Sequence, residues 1–246
     1  MGLMGLMGAH AQFDDYGVKL GLGSATLADD LSTSHPILGV NVGGYINYSF
    51  KHSPTALAEI FYLQTGLNLT RRGNSFQEVF ENGNTLIYRE GHHHAWYVQL
   101  PVLAGVHFEL PVREPGHVVG FYLGPTVSYG LFGHYADRVI SPGVTAREAN
   151  YDVQFSGSDA DRKLFNHISR LDVSAVLGVS YERGDFTFSL FIDHGFLSVA
   201  DDVDVLRIIL DNISGGNSSN TDYTIPGGNN NTVMLSVAYK LGSFMK

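Results

Sequence analysis

The sequence predicts an all-β fold, an eight-stranded antiparallel transmembrane up-and-down β-barrel, and three observations carry that prediction. The dominant hydrophobic period is two, the mark of strands with one apolar face. Connections between strands alternate between short and long. The face opposite the apolar one is built from Gly, Ser, Thr and Asn with a few ionisable groups, where a soluble exterior would be dense in Lys and Glu. Composition agrees with a chain whose strands are apolar on one face only. Charged residues are 16%, against roughly 25% in soluble domains, while there are 29 Gly, 13 Tyr and 15 Phe.

Residues 1–11 are apolar and end in Ala9-His10-Ala11. Small residues at −3 and −1 predict signal-peptide cleavage after Ala11, so 1–11 reads as the remnant of a truncated signal and 12–246 as a single barrel domain. In the first strand Tyr16, Val18, Leu20 and Leu22 alternate with Gly17, Lys19, Gly21 and Gly23. In the second, Leu38, Val40, Val42, Ile46, Tyr48 and Phe50 share a face. Residues 55–70 form a third strand of mixed phase, with Glu59 and Gln64 on opposite parities, which a bulge would reconcile. Residues 95–109 are the fourth, with Trp96, Val98, Leu100 and Val102 opposite Gln99 and Gly105. The remaining four are cleaner: Phe121 to Leu131, Leu171 to Tyr181, Phe186 to Ile192, and Val233 to Leu241.

Connections set the orientation. Tight turns fall at Lys51 to Pro54, Pro111 to Gly116 and Arg183-Gly184-Asp185, whereas 24–35, 71–93, 133–168 and 200–230 read as long loops. Short periplasmic turns opposite long extracellular loops are the outer-membrane pattern; a soluble lipocalin-type barrel has no reason for the asymmetry. Tyr16, Tyr48, Phe50, Phe108, Phe121, Tyr181, Phe186 and Tyr239 gather near the short-turn end of the apolar face, as an interfacial girdle would.

Four stretches resemble the PorT-like outer-membrane β-barrel family of Bacteroidota. They are Ala58-Glu59-Ile60-Phe61-Tyr62-Leu63-Gln64-Thr65-Gly66, Tyr97-Val98-Gln99-Leu100-Pro101-Val102-Leu103, Gly120-Phe121-Tyr122-Leu123-Gly124-Pro125, and Leu171-Asp172-Val173-Ser174-Ala175-Val176-Leu177-Gly178. The resemblance covers the third to eighth strands and implies an eight-stranded outer-membrane barrel with a role in the envelope. Two positions depart from it. Gln99 stands where the family usually has an acid, and Thr65 where a basic residue is common before the glycine, which removes a possible internal ion pair.

Several function classes are excluded or weakened. A net charge of −9 disfavours a nucleic-acid partner, which needs a basic surface. The absence of Cys excludes disulfides, thiolate metal sites and a Cys nucleophile. The polar face assigns Glu59, Gln99, Arg170, Asp172, Asp193 and Lys240 to the barrel interior. His92 and His94 fall on one side of the entry to the fourth strand, a spacing that would suit Zn²⁺ or Cu²⁺, but two ligands do not complete a site and the polar-rim reading is preferred. His167, Ser169 and Glu182 suggest a deacylating triad, but thirteen residues of strand separate Ser169 from Glu182, roughly 40 Å at ~3.3 Å per residue. Asp201, Asp202, Asp204 and Asp211, and Asp152, Asp159 and Asp161, read as solvated acidic loops without a spaced Ca²⁺ pattern. Val203, Leu206, Leu210 and Ile213 recur at helical spacing in the last loop and form a candidate partner-facing or mouth-covering helix.

The expectation is therefore a small outer-membrane barrel, without catalysis or cofactor, that acts as a structural or interaction protein. Its partners would be outer-membrane lipid and a protein of the envelope. A narrow passive channel is the alternative, since eight strands leave an interior just wide enough for side chains.

Overall fold

The structure, a computed structural model, describes residues 12–28, 34–49, 60–82, 85–112, 116–141, 144–156, 167–198 and 228–243. Its elements are all strands: β1 Gln12–Ala28, β2 Ser34–Ser49, β3 Phe61–Asn82, β4 Thr85–Glu109, β5 His117–Ser141, β6 Val144–Asp152, β7 Gln154–Ser156, β8 His167–Ser169, β9 Leu171–Arg183, β10 Phe186–Ser198 and β11 Asn229–Ser243. Eight of them, β1 to β5 and β9 to β11, pair antiparallel with their neighbours, and β1–β11 and β4–β5 pairings close the ring. Closure leaves no free edge within the membrane, where an unpaired backbone group would cost several kcal/mol.

The outward face is apolar because lipid is its solvent. Leu20, Leu22, Leu67, Leu100, Val102, Leu123, Leu177, Leu190 and Leu235 all point outward and are exposed. On β4 this band runs from Phe108 to Trp96, twelve residue steps, or roughly 28 Å of height at ~3.3 Å per residue and a ~45° tilt. Tyr16, Phe108, Phe121, Phe186 and Tyr239 mark its lower edge and are exposed, with the Phe186 and Tyr239 rings 5.1 Å apart. Tyr48 and Tyr181 are half-buried there; Phe50 lies outside the described residues. At the same end β9 and β10 are joined by Gly184-Asp185, with Gly184 at φ +61°, a left-handed conformation that glycine adopts without steric cost.

The inward face is small because aromatic side chains lie flat across it. Tyr45, Tyr62 and Tyr122 sit opposite Gly17, Gly105 and Gly178 on neighbouring strands. A Cβ at Gly105 would stand 2.4 Å from the Tyr62 ring and one at Gly178 2.3 Å from the Tyr122 ring. The glycines make the room that the tyrosines occupy.

Two expectations about loops are overturned. The 71–93 stretch is not a loop: β3 and β4 continue through it as a hairpin, paired residue for residue from Gly73↔His94 to Asn82↔Thr85. Likewise β5 runs on to Ser141 and folds back as β6. Above the membrane β3, β4, β5 and β6 thus form a four-stranded antiparallel sheet. A register shift between Trp96 and Tyr97, opposite Phe132 and Gly130, gives β5 one extra residue where the sheet leaves the barrel, and such a bulge bends and twists a strand. The bulge expected in the third strand is absent from the described part, since β2–β3 register is unbroken from Val40↔Arg71 to Ser49↔Tyr62.

Candidate functional site

From the periplasmic end upward, the interior alternates charged and apolar layers. At the mouth Lys240 pairs with Asp15 at 3.1 Å and Glu182 at 3.2 Å. Asn47 donates to Asp15, and Gln64 donates to Asn47. These groups line a cavity of about 290 Å³ that also reaches Lys19 and His107. Above it Leu103, Tyr122, Val176, Phe191 and Met234 form an apolar layer, with Tyr62 packed against it; the Lys19 ammonium stands over the Phe191 ring.

The next layer is polar and centred on Arg72. Its guanidinium donates to Asp172 at 2.7 Å and to Asp193 at 2.5 Å. Gln99 donates to Asp193, Asn230 to Asp172 and Asn41 to Gln99, while Tyr97 presents its ring to the guanidinium. One cation between two carboxylates, each held by a further amide, is the arrangement a buried ion cluster needs to offset desolvation. A second apolar cluster, Leu27, Phe76, Ala95, Tyr97, Tyr135, Val153 and Ile168, closes the barrel on its outer side. Arg72, Tyr97, Tyr135, Ile168 and Met234 are each 2% exposed or less. Among the described residues these five are therefore almost wholly screened from water.

Above that cap, between the protruding sheet and the barrel axis, lies a second ion cluster. Arg89 donates to Asp137 at 2.9 Å, to Glu78 at 3.1 Å and to the Tyr135 hydroxyl at 2.8 Å. The Tyr135 hydroxyl in turn donates to Asp137, and the guanidinium lies 4.8 Å from the centre of the Phe76 ring. Each of β3, β4 and β5 contributes one charged group, so the cluster ties the three strands together well above the lipid band.

Of the residues assigned to the interior from sequence, Gln99, Asp172, Asp193 and Lys240 are there and interact as described. Arg170 is not. A bend at Arg170 separates β8 from β9 and breaks the alternation. Its side chain turns to the outer rim, over the rings of Tyr129 and Phe155. Glu59 and the loop residues Val203, Leu206, Leu210 and Ile213 lie outside the described residues, as do Asp159, Asp161, Asp201, Asp202, Asp204 and Asp211. His93 points inward and is buried, while His92 and His94 point outward with parallel rings 6.5 Å apart. No group of three His, Asp or Glu poised to hold a metal occurs among the described residues. Ser169 donates to the Leu171 carbonyl at one end of β9, and Glu182 pairs with Lys240 at the other; the strand keeps them apart. Sequence reasoning missed Arg72, Arg89, Glu78 and Asp137 because it placed them in loops.

A closed eight-stranded ring with a lipid-facing apolar band and a layered polar interior defines an integral membrane β-barrel protein. Residues 11–201 match the family model described as outer membrane protein beta-barrel domain. The chain belongs to that family, and its place is the bacterial outer membrane. Solved structures of similar shape include the attachment invasion locus protein Ail of Yersinia pestis, at 12% identity and TM-score 0.36 over 94% of this chain and 100% of that one. Neisserial surface protein A matches at 10% identity and TM-score 0.40 over 94% and 99%. No curated protein sequence gives a match.

Proposed function

We propose that this protein is a membrane-anchored recognition protein, and that its partner-facing element is the sheet raised above the membrane by β3, β4, β5 and β6. The observation that carries this reading is strand length. β4 and β5 are each 25 residues, where about 9–11 residues cross a bilayer. The excess is ordered structure, braced from within by Arg89, Glu78 and Asp137. Its outward surface is mostly polar but includes Val79, Leu86 and Tyr88 at 58%, 39% and 46% exposure, beyond the reach of lipid. Apolar groups held out in water on a rigid sheet suit a protein partner. The PorT-like resemblance of the barrel strands supports a partner within the cell envelope.

The test is capture from native outer membranes in mild detergent, comparing the tagged wild-type protein with a Val79→Ser/Tyr88→Ser variant. A stoichiometric partner retained by the wild type and lost by the variant is the expected result. Equal recovery with both proteins, or a lone barrel in both, contradicts the assignment of this surface.

A further inference from the structure

Where β5 parts from β9 to pair with β6, the outer surface of the molecule is hollowed into a cleft of about 540 Å³. Its floor is Leu131 and Phe132, at the upper edge of the lipid band; Phe132 is 58% exposed. Arg170, His94 and His134 stand around it. We propose that this cleft seats the phosphate-bearing headgroup of a membrane lipid of the outer leaflet, with the start of its acyl chains on Leu131 and Phe132.

Trp96, Tyr129 and Phe132 mark the height where hydrocarbon gives way to headgroups, since the next outward residues on β4 and β5 are His94 and His134. Aromatic residues concentrate at that level in membrane proteins. Arg170 is fixed there by its two ring contacts and by donating to the Tyr129 hydroxyl at 3.2 Å and to the Phe155 carbonyl at 3.4 Å. A guanidinium has five N–H donors in a planar fork suited to phosphate oxygens, so these two bonds leave capacity for an anion. The His94 and His134 rings are 6.0 Å apart, and both line the cleft. The carboxylate bordering the cleft, Asp152, is 3.8 Å from His134 but 98% exposed, so it lies on the water side. A soluble anion has no use for the apolar floor, and a neutral lipid none for Arg170. A phosphorylated lipid uses both.

Trp96 is the single tryptophan of the chain, and its ring is 6.3 Å from that of Phe132, so the cleft carries its own reporter. The full-length protein is placed in nanodiscs of neutral lipid, and lipid A or phosphatidylglycerol is introduced while Trp96 emission is recorded. Dephosphorylated lipid A and inorganic phosphate are the comparison arms. A saturable shift with either phosphorylated lipid is expected. Arg170→Gln, and separately His94→Gln/His134→Gln, should weaken it about tenfold, the scale of one lost charge-assisted hydrogen bond, with the heat-modifiable gel mobility of the folded barrel retained. An equal response to dephosphorylated lipid A, an equal response to inorganic phosphate alone, or wild-type binding by both variants would overturn the proposal.

Discussion

Arg72→Met is expected to destabilise the barrel by about 3–5 kcal/mol, because it removes one partner of a buried ion cluster and leaves the others charged. Asp172 and Asp193 would stay sealed between two apolar layers with only Asn230 and Gln99 to hold them. The expected signature is a lower urea midpoint for unfolding from lipid vesicles, followed by Trp96 fluorescence. A triple variant, Arg72→Met with Asp172→Asn and Asp193→Asn, separates charge from shape. It leaves no uncompensated charge in this layer, so it should regain most of the lost stability. If the triple variant is as unstable as the single one, the cluster is not what holds that layer together.

The second large effect is expected at Arg89, and it should be local. Arg89→Met deprives Glu78 and Asp137 of their shared guanidinium, again a matter of about 3–5 kcal/mol, but the residues affected belong to the protruding sheet. The lipid-embedded ring keeps its own backbone pairings and its Arg72 layer. Limited proteolysis of the reconstituted variant should therefore cut within 76–92 or 134–152, at protease levels the wild type resists. The folded-barrel mobility on gels should be unchanged. Loss of the barrel itself would mean that the two ion clusters form one cooperative unit. Resistance equal to wild type would mean that Arg89 does not brace the sheet.

The ring was legible in the sequence because lipid imposes a uniform rule on it. Wherever a strand faces hydrocarbon, every second residue is apolar, as in Leu20 and Leu22 or Phe121 and Leu123, and the intervening residues are small or polar. The protruding sheet was hidden because that rule lapses at the membrane edge. Above Trp96 the next outward positions on β4 are His94, His92 and Glu90, before Tyr88 and Leu86, which are again apolar and exposed. Three successive polar positions interrupt the outward apolar face, so a reading that follows it sees the strand stop. Inward positions mix buried Ala95 and Ile87 with buried His93, Arg89 and Glu78, so that face offers no clean period either. The signal that remains is pairing within the hairpin itself, where Phe76, Glu78, Ile87 and Arg89 keep strict two-residue spacing inside what composition alone presents as loop. The misplacement of Arg170 has a different origin. Alternation is a property of extended chain, and it cannot be carried through a bend.

A membrane-embedded ring holds this sheet on the outer side of the outer membrane with its short turns in the periplasm. A chain without cysteine allows a direct test with single cysteines at Gln77, exposed on the sheet, and at Asp185, exposed in the β9–β10 turn. Intact cells are treated with a membrane-impermeant maleimide, before and after permeabilising the outer membrane. Gln77→Cys should be labelled on intact cells, and Asp185→Cys only after permeabilisation. Labelling of Asp185→Cys on intact cells, with Gln77→Cys protected, would contradict the account.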